Sequence, residues 1–503
     1  MKILSLLQKI QISSLYKDLQ RELSQHKKDK SRLLKSRDIL EKALQDGNAY
    51  YGINTGFGAL ASKRIAPDQV TRLQKNLLLS HAVGVGPVIP KAISRIMLML
   101  KIHTLALGHS GVSERTFDRL LYFHDQDLIP AIPSKGSLGA SGDLAPLAHM
   151  SLPLLGYGEF WDNTGEKIIP AADVLKQHQL KPINLQAKDG LALVNGTQLM
   201  AGYGAYILEK MQELMKMADL VSAMSLEALQ GSLTPFDKRI HALRPHQGQM
   251  TVAGNIRKLL AGSEILESHR NCGKVQDPYC LRCIPQVHGA SRDAIGYAIT
   301  AIETEMNSVN DNPLVMENGE IISGGNFHGQ PLALALDFAA IALAELGSIS
   351  ERRTYLLLDG HDGLPKLLMR ETGINSGFMI PQYTAAALVS ENKILCHPAS
   401  VDSIPSSLGQ EDHVSMGSIS ALKLLDVYRN LEHILSVELL TAAQALDFRE
   451  PLIPGIGVKN AHQYLRGIVP HSIEDRYMKE DIDRCLQIVR KAEVLEAAGV
   501  DLN

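Results

Sequence analysis

The chain has 503 residues, 45% hydrophobic and 21% charged, enough for a large buried core and too apolar for a disordered protein. Lys and Arg number 51 against 54 Asp and Glu, a net charge of −3, so composition gives no electrostatic footprint for nucleic acid or an anionic membrane. Five cysteines, Cys272, Cys280, Cys283, Cys396 and Cys485, are an odd number in a long chain and make no disulfide framework.

In chain order, residues 1–14 (MKILSLLQKIQISS) are broken by Gln8 and Lys9 and carry no small-residue cleavage site, so they read as an amphipathic helix start. Up to about residue 200 the sequence predicts shorter helices interrupted by Gly- and Pro-rich loops at 52–58, 84–90 and 130–142. Beyond it, helix formers dominate and aromatics are only 5% of the chain. Long helices are predicted over 205–231, 287–310, 332–346 and 418–446, the last with a seam through Leu424, Tyr428, Leu431, Leu435 and Leu439. A helix that is apolar on every side must be buried on several, which implies a large bundle with subunit contacts added. The Met and Leu wealth reads as core packing, not a cofactor box. One hairpin is predicted, 314–316 with 321–322, its Asn318-Gly319 suiting a type I′ turn. No run reaches the roughly 18 uninterrupted apolar residues of a membrane span, since the richest, 331–346, contains Asp337. The expectation is a soluble cytoplasmic protein, mainly α, divided into a loop-rich part over 1–200 and a helical bundle over 201–503.

The most informative segment is GSLGASGDLAPLAH at 136–149. A Gly-rich loop before a helix can cradle phosphate, but no Gly-Lys-Ser/Thr follows and no apolar strand precedes. Ala140-Ser141-Gly142 offers another chemistry. Glycine has the least hindered amide nitrogen and tolerates the strained backbone in which that nitrogen approaches the carbonyl of Ala140. Ring closure with loss of water, then loss of the Ser141 hydroxyl as a second water, leaves a methylidene on a five-membered imidazolone. That is an electrophile ordinary side chains cannot supply.

This segment resembles the signature of the aromatic amino acid ammonia-lyase family, whose members form such a methylidene-imidazolone autocatalytically from Ala-Ser-Gly. The resemblance continues through YGINTGFG at 51–58, NLLLSHAVG at 76–84, LVNGTQ at 193–198, QDPYCLRC at 276–283, SGGNFHG at 323–329 and QEDHVSM at 410–416, in the family's order. It implies a fumarase/aspartase-like fold of long helices, a homotetramer whose active sites draw on three subunits, and no external cofactor. The matching positions imply that Tyr51 removes the substrate's β-proton and that Arg282 holds its carboxylate with a guanidinium fork. Tyr279, Asn195 and Gln276 are implied around the imidazolone and its substrate, with Asp143 supporting. Read alone, each of these polar residues is equally a satisfied buried group, and Tyr51 or its neighbour Tyr50 a packing aromatic.

Ser80-His81 matches the position pair that tracks the substrate ring, and the Ser-His combination belongs to histidine-specific members. A histidine opposite Glu411 can hydrogen-bond both imidazole nitrogens, with Phe327 as a wall; a phenyl ring would leave them unpaired. The implied activity is elimination of ammonia from L-histidine to give trans-urocanate. A phenylalanine or tyrosine ammonia-lyase or an aminomutase is the alternative within enzymes, and a non-catalytic structural relative the alternative outside them. No metal is expected: the Cys280–Cys283 pair has no second ligand pair at zinc-finger spacing, and Glu411-Asp412-His413, if helical, would point to different sides.

Overall fold

The computed structural model describes residues 10–60, 62–270 and 273–503; most of the N-terminal amphipathic start (residues 1–9) and Cys272 lie outside them. The fold is mainly α. Two compact units are each assembled from three segments: the chain to Glu209 with Ala298–Asp337 and Pro398–Leu422, and Lys210–Tyr297 with Phe338–His397 and Lys423–Asn503. The four long helices are present as Gln198–Ala228, Ile284–Met306, Gln330–Leu358 and Gly417–Asp447.

The third of these runs twelve residues beyond its predicted end. The Ser-Ile-Ser-Glu-Arg-Arg that reads as a polar exit is interior: Ser350, Glu351 and Arg353 are each 0% exposed. Arg353 is neutralised by Glu438, with Nε 2.5 Å and Nη2 2.9 Å from the two carboxylate oxygens. The extended helix is long and apolar enough to cross a membrane by length and composition, with mean hydropathy 1.9, yet 67% of that window is buried. In the second unit the helices enclose a polar core. His288 Nδ1 lies 2.9 Å from Asp219 Oδ1, Ser225 donates to Glu438 at 2.7 Å, and Ser291 donates to the Ala342 carbonyl at 2.8 Å.

Among the described residues the first unit has shorter helices and three two-stranded antiparallel sheets, Val85–Val88 with Pro133–Lys135, Glu159–Trp161 with Ile168–Pro170, and Leu314–Val315 with Ile321–Ile322. The last is the expected hairpin with a different turn. Gly319 N–H donates to Met316 O at 3.0 Å, and Met316 N–H to Glu320 O at 2.8 Å. The loop therefore has three residues, with Gly319 alone at positive φ (+94°), where a type I′ turn would need Asn318 there too.

Two buried ties in this unit set the frame of the site. Asp189, fully buried, accepts from Ser113 N–H (2.7 Å), Ser113 Oγ (2.7 Å), Thr116 Oγ1 (2.8 Å) and Gln186 N–H (2.8 Å), fixing the start of the helix Asp189–Val194. Gln74, on the helix Val70–His81, accepts from Gly190 N–H at 2.8 Å. The helix that ends on His81 is thereby locked to the one that leads into Asn195.

Candidate active site

A cleft of about 530 Å³ opens in the first unit, within the usual range for a small-molecule site. Tyr51, His81, Ser141, Asn195, Phe327 and Glu411 all line it, although they come from segments up to 360 positions apart in the sequence. Tyr51 sits in the glycine-rich turn after residue 47, and its phenol oxygen accepts the Gly58 N–H at 3.0 Å. Tyr50 is engaged elsewhere, donating to Asp46.

The loop 136–142 delivers Ser141 to the cleft floor, and the helix Leu144–Ser151 follows it. Gly142 has φ +78°, and a Cβ there would lie 2.0 Å from the carbonyl oxygen of Gly196. Only glycine fits, because L side chains avoid this backbone region and the Gly196 oxygen already accepts the Asp143 N–H at 2.7 Å. Asn195 donates from Nδ2 to the Ser141 carbonyl at 2.9 Å, while its buried Oδ1 has no hydrogen-bond partner among the described residues. Ser141 Oγ donates to Glu411 Oε1 at 3.1 Å, and Ser406 Oγ holds Oε2 at 3.0 Å. Glu411 lies in an extended segment bridged to Ser406, not on a helix. The opposed facing of neighbouring helical positions therefore does not apply to Glu411-Asp412-His413.

His81 ends its helix with Nδ1 3.0 Å from Ser80 Oγ. Burial holds its imidazole below the ordinary histidine pKa, against opposing pulls from the Leu77 carbonyl and Glu411. A neutral imidazole offers one donor and one acceptor, and the carboxylate facing the same space is acceptor-only. A tripeptide whose Gly142 has positive φ, a phenol and this pair of hydrogen-bonding side chains form a constellation suited to polar chemistry on a small substrate.

The aromatic amino acid lyase family matches residues 7–467 of the chain. The chain belongs to that family. The lyase is 52% identical over 469 residues to the histidine ammonia-lyase of Anaeromyxobacter dehalogenans, covering 92% of each chain. Among solved structures it resembles the histidine ammonia-lyase of Trypanosoma cruzi (TM-score 0.86, 40% identity, 93% of this chain and 89% of that one). It also resembles the tyrosine aminomutase of Streptomyces globisporus (TM-score 0.90, 36% identity, 98% and 100%).

Three residues expected at the site are not gathered in the cleft. Gln276 and Arg282 line a separate cavity of about 1010 Å³ in the second unit of the lyase. Tyr279 opens the short helix Tyr279–Arg282 and is 69% exposed, with the Arg282 guanidinium 4.6 Å from its ring centre. Arg282 Nε is buried with no hydrogen-bond partner among the described residues.

One group escaped sequence reasoning. Lys101 is 0% exposed, and its Nζ donates to the carbonyls of Ala192 (3.1 Å) and Asn195 (2.8 Å). Burial pushes its pKa down to about 7, with Asp311 opposing. The available signal is a lone lysine in the apolar run MLMLKIHTLAL at 97–107. Asp143, also fully buried, accepts from the Leu199 and Met200 N–H groups at 2.9 and 3.1 Å, and burial pushes its carboxyl up to about 7.

Proposed function

We propose that this lyase eliminates ammonia from L-histidine to give trans-urocanate. The observation that carries the reading is the convergence of His81 and Glu411 on the cleft that holds Ser141. Two hydrogen-bonding groups in a half-buried pocket suit the two nitrogens of an imidazole ring. A phenyl or phenol ring would leave at least one of them unpaired, at a cost of about 1–3 kcal/mol. The higher identity to the bacterial histidine ammonia-lyase than to the tyrosine aminomutase supports the same choice.

The cleft floor fits a methylidene-imidazolone made from Ala140, Ser141 and Gly142. Gly142 has no room for a Cβ, and Asn195 presents a buried unpartnered oxygen beside the tripeptide. Such a group supplies an electrophilic carbon that turns the substrate's amine into a leaving group. The chain's own residues do the rest. Glu411 and His81 orient the imidazole, and Phe327 closes the side of the ring. Tyr51, having first given up its own proton, removes the β-proton as the phenolate and becomes the phenol, the electron pair of that C–H bond forms the new double bond, and the C–N pair leaves with the amine. A positioned base of this kind is worth roughly 10²–10⁴-fold. Asn195 Nδ2 and the Asp143 carboxyl group hold the loop, and Lys101 fixes Asn195 through its carbonyl.

Arg282, Tyr279 and Gln276 come to the substrate from neighbouring copies in a homotetramer, the guanidinium binding the carboxylate. Its unpartnered buried Nε supports a missing anionic or carbonyl partner. The enzyme acts in the cytoplasm.

The test is incubation of purified protein with L-histidine, L-phenylalanine and L-tyrosine, with no added cofactor, following ammonia and product absorbance. Urocanate from histidine alone is expected; cinnamate or coumarate instead would overturn the assignment of His81 and Glu411. In parallel, Ser141→Ala should elute as the wild-type oligomer and produce no ammonia. Full activity in that variant would exclude the imidazolone.

A further inference from the structure

A second convergence of titratable side chains lies outside the cleft, where the helix Leu15–Lys28 meets the helix Lys91–Ala106. Glu22 and His26 are four residues apart on the first helix and share one face. His103 comes from the last turn of the second. One ligand atom from each of the three lies within 4.8 Å of the others. His26 Nε2 is 3.0 Å from His103 Nδ1, with the two ring planes at 46°. Glu22 and His103 are each 1% exposed, and His26 is half-buried, giving the group one open side.

We infer that Glu22, His26 and His103 form a binding site for one divalent transition-metal cation of the zinc class, bracing the N-terminal helix against the helix that carries Lys101. Two imidazoles and a carboxylate are a donor set this class prefers, and three protein ligands leave a fourth position for water on the open His26 side. Zn–N bonds of about 2.0–2.1 Å put two coordinating nitrogens about 3.3–3.4 Å apart at the tetrahedral angle. The histidine nitrogens, 3.0 Å apart, need to part by only about 0.3–0.4 Å to reach it. Two ring nitrogens this close, without a metal, share a single proton between them; a cation replaces that proton and binds both lone pairs. The carboxylate supplies negative charge inside a region where a bare dication would be poorly solvated. Arg21, whose Nε lies 3.3 Å from Glu22 Oε1, is a competing cation; its side chain is 45% exposed and its Nη1 donates to Asp18 Oδ1 at 2.6 Å, an ion pair that can hold it when it leaves Glu22.

The test uses the full-length protein after treatment with a chelator, titrated with zinc chloride against a chromophoric zinc chelator. One zinc per chain is expected, held at micromolar free metal or below, with a rise in the thermal midpoint. His26→Ala should lower the affinity at least about tenfold and abolish the rise, and His103→Ala should do the same. His26 is half-buried, so its variant is the decisive one if His103→Ala fails to fold. X-ray absorption at the zinc edge of the wild type should give nitrogen and oxygen neighbours. Absence of stoichiometric binding, sulfur neighbours pointing to the cysteines at 280 and 283, or unchanged affinity in His26→Ala would overturn the site. None of these readouts depends on the deamination reaction, so failure of one reading leaves the other standing.

Discussion

Gly142→Ala tests the cleft floor most directly. The new methyl would sit at φ +78°, a backbone state that costs an L-residue about 1–2 kcal/mol. It would also lie 2.0 Å from the Gly196 oxygen, so the two segments must part. Parting them breaks the 2.7 Å bond from Asp143 N–H to Gly196 O, worth about 0.5–1.5 kcal/mol. Together these give a loss of roughly 2–3 kcal/mol, read as a lower urea midpoint at unchanged slope. The second consequence is chemical. For the proposed imidazolone, a shifted and more hindered nitrogen at 142 would fail to reach the Ala140 carbonyl, so the intact mass of the variant should retain both waters that maturation would remove. Deamination should fall below one-hundredth of wild type. A variant with wild-type stability, the two-water mass deficit and full activity would refute the argument at each step.

Tyr51→Phe removes the oxygen that accepts the Gly58 N–H, and should leave KM within a few-fold while lowering kcat roughly 10²–10⁴-fold in a urocanate absorbance assay; an unchanged kcat would place the base elsewhere. His81→Leu should cut kcat/KM for histidine about 5- to 150-fold, from about 1–3 kcal/mol of lost pairing, and raise turnover of tyrosine. A variant that keeps its histidine preference would show that ring choice is made by other residues. For Asp143, burial raises the carboxyl pKa from 3.8 to about 7, so the folded protein keeps a proton that the unfolded chain has released. The group's stabilising contribution is full below about pH 4 and is lost as pH rises to about 7. The unfolding free energy of wild type minus that of Asp143→Asn should therefore fall across that window, by up to about 1.4 kcal/mol per pH unit. A flat difference in urea melts would mean that the carboxyl is ionised throughout.

The long helices were legible because periodic apolar residues leave a one-dimensional trace, and the loop 136–149 because its composition is unusual. What stayed hidden depends on pairing between distant segments. Ser350–Arg353 looks like a helix exit until Glu438, 85 positions on from Arg353, neutralises the guanidinium. Lys101 looks like an intrusion in an apolar helix until the Asn195 carbonyl, 94 positions away, accepts from it. The motif at 410–416 pointed to Glu411, which lines the cleft, but only the bridge to Ser406 shows that the segment is extended. Gln276, Tyr279 and Arg282 were singled out by their motif, and their absence from the lining of the cleft has no sequence signature.

The buried Arg353–Glu438 pair has a bearing on how the bundle finds its alignment. The Leu- and Ala-rich stretches of Gln330–Leu358 and Gly417–Asp447 offer similar apolar contacts at successive turns, and those contacts alone discriminate weakly between one axial offset and the next. An interior guanidinium changes this, because sliding by a single turn moves it about 5.4 Å from its carboxylate. Stranding one charge in such a place costs about 3–5 kcal/mol. The pair acts as a peg in a slot, and a designer who wished to remove it would have to replace both residues at once and supply another means of indexing the helices.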